Sequence, residues 1–317
     1  MKPNLLMIGN ATPRMQARLN AAFTVHAAKP DDDPATFLAR IGPSVEAIMT
    51  SGHDGVTAEI MAGLPNLKVI SGYGVGYDAI DVEAAVQRGI IVTHTPNVLN
   101  DEVANTAIML WLAVSRELVA ADTYVRAGRW KREGHYPLTR SVQGRKVGIL
   151  GLGRIGRAIA RRLEVFDAQI FYHGRHKQAV DHTFCADLTG MAQTCDVLIC
   201  ITPGGAGTHQ IVNRAVIDAL GPQGILINVS RGSVVDEDAM VSALQEGRLG
   251  GAGLDVFADE PNIPEPLLAM DNVVLQPHVG SGTVETRQAM GDLTCDNLIR
   301  YFRDGTTLTP VPECADL

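Results

Sequence analysis

Three short segments contain side chains that could move a proton or hold an anion near the ends of predicted strands. They are Asn228-Val-Ser-Arg231-Gly232, Asp255-Val-Phe-Ala-Asp-Glu260-Pro261 and Gln276-Pro-His278-Val-Gly-Ser281. Each lies at or beyond the end of a short β-rich run, and open α/β sheets bind their ligands beyond the carboxyl ends of the strands. A histidine can donate a proton near neutral pH. A carboxylate beside it favours the protonated ring and orients it. An arginine can hold a carboxylate, polarise a carbonyl, or do both. Arg231, Glu260 and His278 together meet the needs of reducing a 2-oxo acid, given a hydride from a cofactor. Taken singly, each also has an ordinary reading: a salt-bridged arginine, a surface glutamate before proline, a helix-capping histidine. Spacing alone leaves both readings open.

A source of hydride is suggested upstream by Gly151-Leu152-Gly153-Arg154-Ile155-Gly156. A lone GxGxxG is weak, but this one directly follows the apolar run Lys146–Leu150 and opens an amphipathic helix, the context a dinucleotide cradle requires. Its first glycine permits the tight turn, the second lets backbone approach a pyrophosphate, and the third lets helix pack on strand. The helix start then offers free N–H groups to the anion. An acid for the adenosine ribose is expected about 20 residues further on. The chain instead reads Tyr172-His173-Gly174-Arg175-His176-Lys177. A carboxylate would repel a 2′-phosphate, whereas a guanidinium matches one. NADP is therefore expected, with NADPH preferred over NADH; the other reading of Arg175 is stacking on adenine. His173 and His176 have an H-x-x-H spacing but no third ligand nearby, so no metal is expected.

The elements that must position these groups alternate short β-rich runs with helical stretches, the pattern of βαβ units and parallel sheets. Asn4–Ile8, Ala47–Met49, Lys68–Ile70 and Ile90–Val92 read as strands, with helices over Pro13–Asn20, Thr57–Ala62 and Asp81–Arg88. Asp31-Asp32-Asp33-Pro34 reads as a solvated loop. Asn100–Val119 reads as one long apolar helix suited to an interdomain or intersubunit position. A second set of strands follows at Lys146–Leu150, Gln169–Tyr172, Val197–Cys200, Ile225–Asn228, Gly253–Val256 and Val273–Leu275, and a helix from Thr283 to Tyr301 carries the chain onward. The expected fold class is α/β, with two doubly wound parallel-sheet domains. The expected division is a smaller flavodoxin-like substrate domain, residues 1–99 plus 288–317, and a Rossmann dinucleotide-binding domain, residues 100–287.

Taken in order, the glycine turn, Asn-Val-Ser-Arg-Gly at 228–232, Leu-Asp-Val-Phe with Glu260-Pro261, and Pro277-His278 resemble the D-isomer-specific 2-hydroxyacid dehydrogenase family across nearly the whole chain. The resemblance implies that Arg231 binds substrate and takes part in catalysis, that His278 is the acid/base and that Glu260 is its partner. It implies that Asp255 contacts the nicotinamide end and that Val229 lines the cofactor site through its backbone. Thr202, Pro203 and Gly280 are expected to complete the cofactor site with the cradle and with His173, Gly174, Arg175 and His176. The loop Ser71-Gly72-Tyr73-Gly74-Val75-Gly76-Tyr77-Asp78 also matches, and implies that the amides of Val75 and Gly76 bind the substrate carboxylate. Trp130 resembles a residue that in related reductases reaches a neighbouring subunit's active site. Within the family, the Gly174-Arg175 segment and the Pro137–Thr139 lead-in look like NADPH-dependent glyoxylate/hydroxypyruvate reductases and hydroxyphenylpyruvate reductases. The missing acid demotes the NAD-dependent phosphoglycerate and formate dehydrogenases. A non-enzymatic alternative is a dinucleotide-sensing binding protein like the corepressors that share this fold. The family is usually a homodimer formed through its nucleotide domains.

The bulk properties agree. The 317 residues suffice for two domains at roughly 100–200 residues each. A net charge of −8 argues against a nucleic-acid partner. The short basic stretch Arg126–Arg132 reads as surface or subunit contact. The five cysteines, Cys185, Cys195, Cys200, Cys295 and Cys314, are scattered and suggest neither a disulfide framework nor a CxxC site. No apolar run approaches the ~18 residues of a membrane span, so a reduced, cytoplasmic protein is expected.

Overall fold

The computed structural model describes residues 1–29 and 31–317. Contacts divide the chain into two compact units, Met1–Leu99 with Thr283–Leu317, and Asn100–Gly282. The first unit runs β1 (Asn4–Met7), α1 (Pro13–Ala22), β2 (Thr24–Ala27), α2 (Pro34–Ile41), β3 (Val45–Ser51), α3 (Ala58–Ala62), β4 (Val69–Tyr73), α4 (Val82–Gln87) and β5 (Ile91–Thr93). Its parallel sheet has the order β2-β1-β3-β4-β5, the flavodoxin-like doubly wound order. The second unit runs α5 (Asn100–Ser115), α6 (Leu118–Arg126), α7 (Arg129–Glu133), β6 (Lys146–Leu150), α8 (Arg154–Leu163), β7 (Gln169–His173), β8 (Thr183–Phe184), α9 (Leu188–Thr194), β9 (Val197–Cys200), α10 (Arg214–Leu220), β10 (Ile225–Asn228), α11 (Glu237–Gln245), β11 (Gly251–Leu254) and β12 (Val273–Leu275). Its sheet order, β12-β11-β10-β9-β6-β7-β8, is all parallel and reverses direction between β6 and β9, as in Rossmann domains. The last helix, α12 (Val284–Asp304), belongs to the first unit.

Apolar runs explain the central strands. Val197–Cys200 and Ile225–Asn228 are buried at every position, as strands covered by helices on both faces must be. In the first unit α12 lays Cys295 and Leu298 against Leu5, Leu19, Met49 and Val69, completing one face of the sheet. Ser71 Oγ donates to the Thr294 carbonyl at 3.1 Å, tying the end of β4 to that helix.

Four local expectations need correction. The segment read as one helix to Val119 breaks after Ser115: Glu117 takes φ +50°, and α6 starts in a new direction, bent by 59°. The acidic loop at 31–34 conceals a helix start, since Asp33 accepts from the Thr36 amide and Pro34 fills the first turn of α2. The strands β2 and β8 are short edge strands that carry little pattern. Finally, β11 lies two residues earlier than Gly253–Val256. Its glycines admit α5: a Cβ on Gly251 would lie 2.8 Å from Val114 Cγ1, and one on Gly253 would lie 3.0 Å from Leu110 Cβ. No single helix among the described residues is long and apolar enough to cross a membrane.

Candidate active site

Within the second unit, the glycine turn, the basic segment and the three proton-transfer segments each sit at the carboxyl end of a strand of one sheet. The glycine turn follows β6 and closes through the Gly151 amide, which donates to the His173 carbonyl at 2.9 Å. Gly151 has φ +102°, and a Cβ on it would lie 2.9 Å from the Ile201 carbonyl oxygen, just before Thr202 and Pro203. A Cβ on Gly156 would meet the Gly151 carbonyl oxygen at 2.1 Å. Neither position admits a side chain. Gly153, by contrast, has open space where its Cβ would be. It stands at the N-cap of α8 with no side-chain cap, and the amides of Leu152 to Ile155 have no acceptor among the described residues. Uncapped amides beside a side-chain-free approach fit a dinucleotide pyrophosphate.

The end of β7 carries the adenosine-side candidates. Arg175, His176 and Lys177 are exposed, and no ion pair engages them among the described residues. Gly174 again faces open space. His173 is partly committed, because its Nδ1 donates to the Cys185 carbonyl at 2.9 Å and so ties β7 to the segment after β8. No group of three His, Cys, Asp or Glu side chains that could hold a metal occurs among the described residues.

The proton-transfer candidates come together. His278 Nδ1 lies 2.7 Å from Glu260 Oε2, and the other Glu260 oxygen accepts from the Phe257 amide at 3.0 Å. An ionised carboxylate only accepts, so Nδ1 carries the hydrogen and Nε2 is left to exchange a proton with a ligand. The imidazole is 40% exposed and the glutamate 18%, so the pair opens to solvent on the histidine side. His278 adopts φ +52°, a left-handed conformation that costs about 1–3 kcal/mol at a non-glycine residue. Asp255, 2% exposed, holds that conformation in place. Its carbonyl accepts from the His278 amide at 2.8 Å, and its carboxylate accepts from the Val279 and Gly280 amides at 2.7 and 2.8 Å. Burial pushes the Asp255 carboxyl above the ordinary range, opposed by those two amides. The residue expected at the nicotinamide end is thus first the clamp on the histidine turn.

Arg231 is presented by a turn built from Asn228, 1% exposed at the end of β10. The Asn228 carboxamide accepts from the Ser230 amide and hydroxyl at 3.1 and 2.7 Å and donates to the Arg231 carbonyl at 3.0 Å. Gly232 lets this turn lie on the glutamate loop, since a Cβ there would fall 1.9 Å from the Phe257 carbonyl carbon. Glu237 of α11 fastens the same loop by accepting from the Ala258 amide at 3.0 Å, and burial raises its own carboxyl. Sequence reading assigned no role to Asn228 or Glu237. An asparagine two residues before a serine is a turn signal, whereas nothing in the sequence marks Glu237. Val229 is buried, with its amide donating to the Cys200 carbonyl.

In the first unit, the loop after β4 is held from β5's end. The Thr95 amide donates to the Gly74 carbonyl at 2.8 Å, and His94 Nδ1 lies 2.9 Å from the Val75 carbonyl oxygen. The Val75 and Gly76 amides have no acceptor among the described residues. Trp130 of α7 is 58% exposed. Its basic neighbours are locally neutralised, with Arg126 on Asp122 and Arg129 on Glu133.

A family model described as D-isomer specific 2-hydroxyacid dehydrogenase, NAD binding domain, matches residues 108–280. The chain belongs to this family. It is an oxidoreductase with a nicotinamide-dinucleotide domain, and the reading as a non-enzymatic sensor is set aside. The chain is 47% identical to the 2-ketogluconate reductase of Gluconobacter oxydans over 98% of its own length and 99% of that protein's. It is 49% identical to the hydroxyphenylpyruvate reductase of Plectranthus scutellarioides over 87% of this chain and 88% of that one. Among solved structures it is similar to an NADPH-dependent glyoxylate/hydroxypyruvate reductase of Sinorhizobium meliloti in complex with NADP and malonate. The TM-score is 0.94 at 48% identity, covering 99% of this chain and 98% of that one.

Proposed function

We propose that the protein reduces small 2-oxo acids, glyoxylate and hydroxypyruvate foremost, to 2-hydroxy acids with NADPH. The observation that carries the cofactor reading is the end of β7, where three exposed basic side chains stand without a carboxylate partner among the described residues. The cradle residues 151–156 hold the pyrophosphate, and Gly174 to His176 hold the 2′-phosphate. The dinucleotide, when bound, supplies the hydride. Arg231 pairs with the substrate carboxylate and polarises the carbonyl to be reduced. His278 gives the proton on Nε2 to the C2 oxygen, while Glu260 keeps the ring oriented and offsets the charge that the protonated ring carries. The amides of Val75 and Gly76 are carboxylate donors, and Trp130 reaches the substrate of a neighbouring subunit. The five cysteines are free, which suits a reducing cytoplasm.

Relatives that act on 2-ketogluconate and hydroxyphenylpyruvate favour a second reading, with a longer or aromatic 2-oxo acid as substrate. Initial rates with glyoxylate, hydroxypyruvate, 2-ketogluconate and hydroxyphenylpyruvate, each with NADPH and NADH, separate the two. The expected result is a higher kcat/KM with NADPH throughout and the best value on a two- or three-carbon acid. Equal or better use of NADH overturns the cofactor reading, and a best value on either larger acid overturns the substrate reading.

The same proposal makes the protein a homodimer through the second unit. A groove of about 710 Å³ there is lined by Ile108, Met109, Leu112, Leu118 and Val165, with Leu118 and Val165 well exposed. An apolar face of this kind on a monomer usually marks an interface, and a second copy is its expected occupant. Light scattering should give twice the chain mass. Leu118→Asp with Val165→Asp should halve it; a wild-type monomer refutes the pairing.

A further inference from the structure

We propose that Gln178 is a positioning residue that sets the distance between the glycine turn and the basic segment, and thereby the preference for a 2′-phosphorylated dinucleotide. This rests on the reading of Gly174–His176 as the 2′-phosphate site. All four polar groups of Gln178 are engaged. Its amide donates to the hydroxyl of Tyr172 at 2.7 Å, and its carbonyl accepts from the Val180 amide at 3.0 Å. Its Nε2 donates to the Leu152 carbonyl, inside the glycine turn, at 3.0 Å. Its Oε1 accepts from Arg157 Nη2, on the first turns of α8, at 2.5 Å.

These bonds have a geometric consequence. Tyr172 is fully buried in β7 and precedes the basic segment, while Gln178 follows it. The hydroxyl of one on the amide of the other closes the residues between them into a loop with fixed ends. The side chain of Gln178 then fastens that loop to the turn and to the helix the turn opens. Arg175, His176 and Lys177 make no ion pair among the described residues that would hold them instead. A ligand that touches only the glycine turn is indifferent to this strut. A ligand that must touch the turn and the basic segment at once gains from having their separation set in advance, because less freedom is lost on binding. The strut therefore acts on 2′-phosphorylated ligands and spares the others.

Calorimetry with 2′,5′-ADP and with ADP reads this without turnover. The wild type should bind 2′,5′-ADP more tightly. Gln178→Met keeps length and volume but removes both side-chain hydrogen bonds. It should weaken 2′,5′-ADP about tenfold, the effect of roughly one lost charge-assisted bond, while ADP affinity changes less than twofold. In turnover the KM for NADPH should rise and kcat should hold. An equal loss for both nucleotides, or an undiminished preference, overturns the proposal. If Gln178→Met does not fold, Arg157→Met, an exposed change that removes the partner of Oε1, should narrow the same preference two- to threefold, and no narrowing overturns it. A wild type without preference fails the 2′-phosphate reading itself, and that result is seen before any variant is made.

Discussion

His278→Ala is expected to lower kcat for 2-oxo acid reduction by about 10²–10⁴-fold while leaving NADPH affinity within threefold. The size follows from the arrangement at the end of β12. Glu260 occupies Nδ1, so the ring has one remaining nitrogen, and no other titratable side chain is placed to substitute for it in that turn. Alanine tolerates φ +52° less well than histidine, which is enriched in that region. His278→Asn should be made beside it, since asparagine tolerates that conformation. Both variants should lose turnover, and asparagine alone should keep the thermal stability of the wild type. NADPH fluorescence titration reads affinity and stopped-flow absorbance reads the hydride step. Turnover within tenfold of wild type in the asparagine variant would remove His278 as the proton donor.

Arg231→Lys is expected to cost about 10²–10³-fold in kcat/KM, the scale of one lost donor aimed at developing charge. Lysine preserves the charge but not the planar fork, and a carboxylate with an adjacent carbonyl needs donors in two directions. Asn228 holds the Arg231 backbone, while the Arg231 side chain also donates from Nη1 to the Ser230 carbonyl at 2.9 Å. The kinetic loss should therefore exceed whatever any fall in melting temperature accounts for. Kinetics with saturating NADPH and a range of hydroxypyruvate would show it; a loss below threefold would exclude Arg231 from substrate contact.

The residues that carried furthest from sequence are those whose neighbours along the chain also constrain them. The glycine turn was legible because an apolar strand precedes it and an amphipathic helix follows, and all three are local. Arg231, Glu260 and His278 were legible as types at the ends of strands, although the contact between Glu260 and His278 is tertiary. What escaped depends on distant partners. Gln178 looks like any loop glutamine until Leu152 and Arg157 are brought to it. Gly232 looks dispensable until the Phe257 backbone lies against it. The break at Glu117 has no glycine or proline to announce it, and β11 is spelled mostly in glycine and alanine because α5 packs against it.

The return of α12 to the first unit has a consequence for the order in which the protein is made. The second unit is one unbroken stretch, Asn100–Gly282, and all of its strands are synthesised before α12. The first unit begins earlier but cannot finish. Leu5, Leu19, Met49 and Val69 wait for Cys295 and Leu298, which are made only after the whole of the second unit. At roughly 5–20 residues per second the wait lasts on the order of ten seconds or more. A chain cut off after Gly282 and released would thus carry the whole nucleotide unit and an open apolar sheet face, the kind of surface that chaperones bind.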